Sequence, residues 1–257
     1  MPFTTLAGLA GMAVITAGEF RPLYLDESSL IVKVAAFHID QKPVTNQDYF
    51  DFVKHYPKWQ KEKIPSLFAD IKYLDHWVSS DQTNSKPTEP TNATVPWQPS
   101  QAILDGAVIN VSWFAASAYC QSKGKQLPSV SQWEYVAKAN KTRPNGSDDP
   151  KYRQTILDWY GQHHSQSNTP VASNPANYWG VYDMHGLNWE WTEDFNSALV
   201  SGESRADSSI DQKLFCAAGT VGSADPSDYA AFMRYGFRSS LKANYSLPNL
   251  GFRCISN

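Results

Sequence analysis

The chain has 257 residues, of which 42% are hydrophobic, and a formal net charge of −3. A chain of this length can bury one sizeable core. The near-neutral charge without a basic stripe argues against nucleic acid as a partner, and the lack of an acidic tail argues against a chaperone-like role. No stretch approaches the ~18–20 apolar residues that a membrane-spanning helix needs. These properties predict a globular protein without a membrane span.

The first twenty residues, MPFTTLAGLAGMAVITAGEF, are mildly apolar. They carry no positively charged segment at the start, and they continue into what reads as a strand, MAVITAGEF. A secretory signal peptide needs both a basic start and a defined apolar core. We therefore expect no intact signal peptide in this sequence. The start of the chain does not indicate whether the protein is exported.

Three helices are predicted from their capping signals. The first follows Thr45, a predicted N-cap, and carries apolar residues at the i, i+3, i+4, i+7 spacing. The second follows Ser112 and stops near Gly124. The third begins at Ser129, which forms a capping-box pattern with Gln132.

The remaining chain reads mainly as loops and short strands. Residues 82–100 are rich in Pro, Thr, Asn and Ser and predict an extended loop, and residues 141–151 predict a second, polar loop. After Gly180 the sequence shows no convincing helix. Loop content this high is usually functional, or it is held by a metal or a disulfide.

The stretch YDMHGLNWEW, residues 182–191, places two carboxylates among aromatic side chains. An unpaired buried charge is costly, so Asp183 and Glu190 need partners. Calcium is one candidate, because it prefers six to eight oxygen ligands from carboxylates and carbonyls. The alternative is a polar turn over a Trp-rich core, with Glu190 held by an arginine or by backbone amides.

Four segments occur in a recognisable order: FHIDQKPVTNQDYFDFV, VINVSWFAASAYCQSKGKQLPSVSQWEYVAKA, WGVYDMHGLNWEWTEDF and NLGFRC. Together they resemble the sulfatase-modifying-factor family, which includes the formylglycine-generating enzymes and related domains of ergothioneine and pyoverdine biosynthesis. The resemblance implies one domain over residues 1–257 with an α+β, C-type-lectin-like fold. It implies two to three helices, small antiparallel sheets and a high loop content.

The resemblance also implies a structural calcium ion in the loop of residues 182–191. Its ligands here would be the side chains of Asp183 and Glu190 and the carbonyls of Gly186 and Asn188. Leu187 stands where the family usually has asparagine. A carbonyl ligand does not depend on its side chain, so the substitution leaves the prediction in place.

Other metal ligands of the family are not expected. Asp158 is the only obvious acidic candidate for a second calcium site, and that segment looks shortened. Imidazole is a poor calcium ligand, so His185 is predicted to be a surface residue or a support to the site. His163 and His164 are predicted to be exposed in a loop. The three-histidine iron site of ergothioneine-type enzymes is not expected.

The chain has three cysteines, Cys120, Cys216 and Cys254, and their spacing fits no paired-cysteine zinc motif. Formylglycine-generating enzymes bind copper(I) with two cysteines, and soft thiolates suit that ion. Cys216 matches the first position, but the second falls near Ala230, so the two-thiolate copper site is not intact. The resemblance implies a Cys120–Cys254 disulfide; the alternative is two buried free thiols.

The remaining site residues also follow from the family match. Cys216, Trp189 and Asn249 fall where the family lines its oxygen and substrate pocket, which makes them the predicted catalytic set. Arg234 and Arg238 are predicted to form structural ion pairs or to contact an anion. A structural role is the alternative for each of these residues, and for Cys216 it is that of a small buried hydrophobe.

Two functions are compatible with this pattern, and whether the chain is an enzyme stays open. The first is a metal-dependent oxidative maturation factor acting on a peptide, a protein or a peptide-derived substrate, without true formylglycine generation. The second is a non-catalytic, calcium-stabilised binding or accessory domain, for example for a copper nitrite reductase. The segments GLNWEW and FCAAG resemble those of family members that accompany copper nitrite reductases. The expected location is periplasmic or secreted rather than cytoplasmic.

Overall fold

The structure, a computed structural model, describes residues 10–20, 31–79, 96–160, 168–196, 234 and 236–257. The described residues combine short strands with helices and long irregular connections, as expected for an α+β protein. Within these ranges no helix has the length and apolar character required to cross a bilayer.

A three-stranded antiparallel sheet joins the two ends of the described chain. It contains β1 (Met12–Ile15), β4 (Phe37–Asp40) and β9 (Ile255–Ser256), in the order β1-β4-β9. Ile39 pairs with Ala13 on one side and with Ile255 on the other. Side chains alternate along a strand, so β4 buries Phe37 and Ile39 and leaves the residues between them half-buried.

The other strands form three two-stranded sheets. Their bounds are β2 (Gly18–Phe20), β3 (Val32–Val34), β5 (Val78–Ser79), β6 (Trp97–Gln98), β7 (Trp189–Glu190) and β8 (Leu250–Gly251). The β2-β3 and β5-β6 pairs are antiparallel, as expected. The β7-β8 pair is parallel, which differs from the prediction of antiparallel sheets alone.

The three predicted helices are confirmed. They are α1 (Asn46–His55), α2 (Trp113–Ser122) and α3 (Val130–Ala137). Thr45 and Asp48 form a capping box at α1, and Ser129 and Gln132 form one at α3. The Ser112 side chain accepts a hydrogen bond from the third helical N–H of α2. Each cap satisfies backbone donors that the first turn of a helix leaves unpaired.

The structure adds helices that we did not predict. α4 (Pro150–Tyr160) begins at the end of the segment predicted as a polar loop. Asp149 caps it by accepting hydrogen bonds from the N–H groups of Lys151 and Tyr152. Residues 234 and 236–239 are also helical and are called α5 below, so the prediction of no helix after Gly180 was wrong. The number of helices in the described part of the chain therefore exceeds the two to three that were predicted.

Two clusters of buried side chains hold these elements together. The larger cluster is aromatic and packs α1 and α2 against β7 and β8, with Tyr49, Trp191 and Phe252 fully buried. The smaller one lies between the three-stranded sheet and α3, where Ile39 contributes to the same cluster as Trp133. The loop of residues 183–190 begins beside the smaller cluster and ends in the larger one.

Candidate functional site

The loop of residues 183–190 contains all four predicted calcium ligands. It begins at Asp183, which has φ +55°, and turns at Gly186, which has φ +100°. Left-handed φ is strained for most side chains, so glycine suits the second position. A Cβ at residue 186 would lie 3.8 Å from the Asn174 Nδ2 and 4.0 Å from the Trp159 ring. The turn therefore rests closely against α4.

Asp183 stabilises this loop through neighbouring polar groups. Its carboxylate accepts a hydrogen bond from the Ala172 N–H at 2.5 Å and a longer one from Asn174 Nδ2 at 3.3 Å. The side chain is buried. A buried carboxylate requires such donors, and here they come from the segment before the loop.

Glu190 has a different partner, the guanidinium of Arg253. Arg253 donates from Nη2 to Glu190 Oε1 at 2.8 Å and from Nε to Oε2 at 2.8 Å. Trp133 Nε1 donates to the same Oε2 at 2.7 Å. The Arg253 and Glu190 side chains are 0% and 1% exposed, so the pair is fully desolvated. This is the arginine-held alternative that the sequence left open.

These contacts give Glu190 a partner that would compete with the predicted calcium ion. A calcium ion on Glu190 would lie beside a guanidinium, and the two cations would repel each other. Asn188 differs, because its side-chain oxygen is buried without a hydrogen-bond partner. That oxygen could accept a cation or a water molecule. Calcium held by the side chains of Asp183 and Glu190 and the carbonyls of Gly186 and Asn188 stays a prediction.

Trp189 and Asn249, two predicted catalytic residues, lie together. The Trp189 N–H donates to the Asn249 carbonyl at 2.8 Å, next to the parallel β7-β8 pair. The Trp189 indole stacks on Phe237 of α5 with ring centroids 4.3 Å apart, and Trp159 of α4 lies 5.7 Å away on centroids. The half-buried Trp189 is thus part of a row of three aromatic rings.

Arg234 and Arg238 both pair with Glu134 of α3. The closest contacts are 2.7 Å from Arg234 Nη2 and 2.7 Å from Arg238 Nη1. Burial raises the pKa of Glu134, but the charges and hydrogen bonds of the two arginines outweigh it and lower that pKa to about 2. Arg238 also lies 4.9 Å above the Trp133 ring. The predicted structural ion pairs are therefore present.

An open cavity of about 620 Å³ borders the loop. It lies between α4, residues 139–141, residues 174–177 and residues 181–186. Trp159 and Asp183 line it, and Lys141, Lys151 and Asp158 bring charges of both signs. Asp158 is exposed and accepts a hydrogen bond from Gln154 within the helix. The cavity is largely apolar with a charged border, which is typical of binding clefts.

His185, predicted to be a surface residue or a support to the site, lines this cavity as a half-buried residue. Its Nε2 donates to the Ala137 carbonyl at 3.0 Å. The ring centroids of Trp133, Tyr152 and Trp159 lie 5.9, 6.1 and 6.4 Å away. Burial, together with the charge of Arg234, lowers the pKa of His185 to about 4, so the imidazole is neutral at physiological pH.

The predicted Cys120–Cys254 disulfide is confirmed, with Cα atoms 5.6 Å apart. It joins α2 to the residue before β9, and both cysteines are fully buried. Cys216, the remaining predicted catalytic residue, lies outside the described residues, as do Ala230, His163 and His164.

Sequence reasoning missed the contribution of α4. Trp159 and Tyr152 both contact His185, yet the segment with Trp159 was interpreted only as a shortened metal region and Tyr152 was not interpreted at all. Its signal was present, because Tyr152, Ile156 and Trp159 have helical spacing after a proline at the first position. Glu134 carried no local signal, because its partners lie 100 or more residues away.

Comparison with known proteins supports the family inferred from the sequence. The chain is 30% identical to the mouse (Mus musculus) inactive C-alpha-formylglycine-generating enzyme 2, covering 88% of this chain and 77% of that protein. It is 28% identical to the formylglycine-generating enzyme of Bos taurus, covering 88% and 67%.

The solved structure of PvdO from Pseudomonas aeruginosa is similar at 18% identity, with a TM-score of 0.45 and coverage of 96% of this chain and 94% of that chain. The sequence model of the sulfatase-modifying factor enzyme 1-like domain family matches residues 4–257 of this chain. With nearly its whole length matched, the chain belongs to the sulfatase-modifying factor enzyme 1-like domain family.

Proposed function

We propose that this chain is a polypeptide-binding member of the family that does not generate formylglycine at a two-thiolate copper centre. The observation that carries the proposal is the disulfide. Cys120 and Cys254 are bonded to each other, and the sequence contains only one further cysteine, Cys216. A copper(I) centre of two thiolates cannot be built from one thiol. Copper would supply oxygen activation, and this chain lacks the second soft ligand to hold it in that way.

The region around Trp189 supports binding of a polypeptide. The ring row of Trp159, Trp189 and Phe237 runs from the cavity to α5. Aromatic side chains are the commonest anchors in polypeptide recognition, because they bury a large area with few rotatable bonds. One relative carries the word inactive in its name, which agrees with loss of the reaction on a retained scaffold.

A second candidate function is oxidative maturation through Cys216. The specific observation in its favour is that the Cys120–Cys254 bond leaves Cys216 without a cysteine partner in the chain. A thiolate can hold a soft metal or react directly, and its reactivity depends on its pKa and exposure. Trp189 and Asn249 would then contribute to the substrate pocket, as the resemblance implies.

Two further features belong to this proposal. A stable disulfide fits an oxidising compartment, which supports a periplasmic or secreted location. A calcium ion held by Asp183, Gly186, Asn188 and Glu190 would reinforce the loop that positions Trp189. Elemental analysis of the purified protein, before and after chelation, tests the calcium part separately from the function.

The deciding experiment incubates the oxidised protein with copper(I), oxygen and a cysteine-containing peptide. Mass spectrometry then looks for conversion of the peptide thiol to an aldehyde, in the wild type and in Cys216→Ala. We expect no aldehyde with either protein. Aldehyde formed by the wild type and lost in Cys216→Ala would overturn the proposal in favour of the second candidate.

The binding half of the proposal is measured with a purified copper nitrite reductase, the partner that the sequence resemblance suggests. Isothermal titration calorimetry compares the wild type with Phe237→Ala, which removes the ring stacked on Trp189. We expect binding that weakens about tenfold or more in the variant. Equal affinity of both proteins would exclude the aromatic row as the binding surface.

A further inference from the structure

Exposed apolar side chains are concentrated in one segment, residues 56–72. Among the described residues seven large hydrophobic side chains are exposed, and four of them are in this segment. Ile71 is 89% exposed and Leu67 71%, while Tyr56 and Phe68 are 44% and 37% exposed. Single exposed hydrophobic residues are normal, but such a concentration usually marks an interaction site. We call this segment the 56–72 surface.

The 56–72 surface is held firmly to the body of the protein. The Phe68 ring packs edge-on against Phe114 and Trp59, with centroids 5.3 and 6.3 Å apart. The Asp70 N–H donates to the Asn244 carbonyl at 2.8 Å. Ala69, between these anchors, is buried. The backbone carrying Leu67 and Ile71 is therefore fixed, and their side chains project from a defined position.

Lysines accompany the exposed apolar residues. Residues 56–72 contain four lysines and two acidic residues, although the whole chain has a net charge of −3. Lys61 and Lys72 both pair with Asp75. Lys58 and Lys63 are exposed and have no ion-pair partner within the described part of the chain. The Lys58 Nζ lies 5.4 Å over the Trp59 ring, the same ring that supports Phe68.

We propose that the 56–72 surface docks on an anionic lipid bilayer. Leu67 and Ile71 would enter the boundary between headgroups and acyl chains, where apolar side chains gain by leaving water. Lys58 and Lys63 would lie at the level of the anionic headgroups, with their stems along apolar surface. Tyr56 has the amphipathic ring favoured at that depth. The proposal is independent of the function proposed above.

The charges of the 56–72 surface favour an anionic bilayer over a second copy of the chain as its partner. A symmetric dimer through the 56–72 surface would place two positively charged patches in one interface, and like charges at close range are unfavourable. An anionic membrane supplies the opposite charge. It also accommodates side chains that project singly, because lipid chains adapt to their shape.

The experiment is cosedimentation of the full chain with vesicles. One set contains phosphatidylcholine with phosphatidylserine, and the other phosphatidylcholine alone. The variants are Leu67→Ser/Ile71→Ser, Lys58→Glu/Lys63→Glu and the control Val14→Ser, which alters an apolar residue 63% exposed on β1. Thermal unfolding followed by circular dichroism checks that each variant is folded.

We expect the wild type and Val14→Ser to bind phosphatidylserine vesicles equally, and less strongly as salt increases. Both double variants should bind about tenfold or more weakly. Absence of binding by the wild type, or equal binding by all variants, would overturn the proposal. Light scattering that shows a dimer abolished by Leu67→Ser/Ile71→Ser, without vesicle binding, would assign the surface to a second copy instead.

Discussion

Glu190 shows at the residue scale how one carboxylate can be read in two ways. In the sequence it stands in a loop that resembles a calcium site, and in the structure its oxygens accept from Arg253 and Trp133. Charges buried in this way are stabilised by their partner rather than by water. The consequence is that Glu190 and Arg253 depend on each other, and loss of either leaves an isolated buried charge.

We predict that Glu190→Ala lowers the free energy of unfolding by about 3–5 kcal/mol, because Arg253 would remain buried without a counter-charge. Urea denaturation followed by circular dichroism measures the change. The control is Asp148→Ala, which breaks an exposed pair with Arg143 and should cost at most about 1 kcal/mol. Similar losses in both variants would show that the buried pair contributes no more than a surface pair.

At the scale of elements, Glu134 connects α3 to α5. α5 follows the segment with Cys216 in the sequence and carries Phe237, which stacks on Trp189. Two arginines one helical turn apart on α5 hold the same carboxylate of α3. The position of Phe237, and with it one side of the aromatic row, therefore depends on a charge in a neighbouring helix.

This contact predicts a defined sensitivity to acid. The pKa of Glu134 is about 2 in the folded protein against an ordinary value of 4.5. Its contribution is therefore complete above about pH 4.5 and is lost as the pH falls towards 2. The shift corresponds to a contribution on the order of 3 kcal/mol. Glu134→Gln should be less stable at neutral pH, and its stability should fall less than that of the wild type between pH 4.5 and 2.

Urea unfolding at several pH values measures this difference. Glu62→Gln, which alters an exposed carboxylate, is the control and should follow the wild-type pH dependence. The ion pairs of Glu134 with Arg234 and Arg238 would have no role in acid stability if Glu134→Gln lost stability over this pH range as steeply as the wild type.

The helices also show which parts of the fold could be predicted from the sequence. α1, α2 and α3 were found because their caps are local signals, at Thr45, Ser112 and Ser129. α4 has comparable signals at Asp149 and Pro150, but a polar stretch before it led to the prediction of a loop. α5 is held by long-range ion pairs, and those cannot be read from neighbouring residues.

At the scale of the whole molecule, the C-terminal residues fasten distant segments together. β9 pairs with β4, and the Cys254 N–H donates to the Asp40 side chain at 3.0 Å. Arg253 reaches Glu190, and Cys254 is bonded to Cys120 of α2. Family resemblance predicted the disulfide correctly, whereas an unspecified arginine or backbone amides stood as the alternative to calcium at Glu190. The order of motifs indicates the fold, but the choice of a charge's partner depends on tertiary packing.

The disulfide should make a large contribution to the stability of the whole chain. Its cysteines are 134 residues apart in the sequence. In the chain-entropy model, closing a loop of this length restricts the unfolded chain enough to stabilise the fold by about 4–5 kcal/mol. Both cysteines are fully buried, so a reductant should act mainly when the protein unfolds. We expect Cys120→Ala/Cys254→Ala to unfold at a much lower urea concentration than the wild type.

Urea unfolding with and without a thiol reductant distinguishes the stabilisation that comes from the disulfide bond from the stabilisation that comes from packing of the two sulfur atoms. Reductant should shift the midpoints of the wild type and of Cys216→Ala down by the same amount, and it should leave that of Cys120→Ala/Cys254→Ala unchanged. Cys216→Ala is the matched control, because it removes the one cysteine outside the bond. If the midpoint of fully reduced wild type stayed at its oxidised value, the bond would not stabilise the protein, since closing a long loop must change the unfolded state.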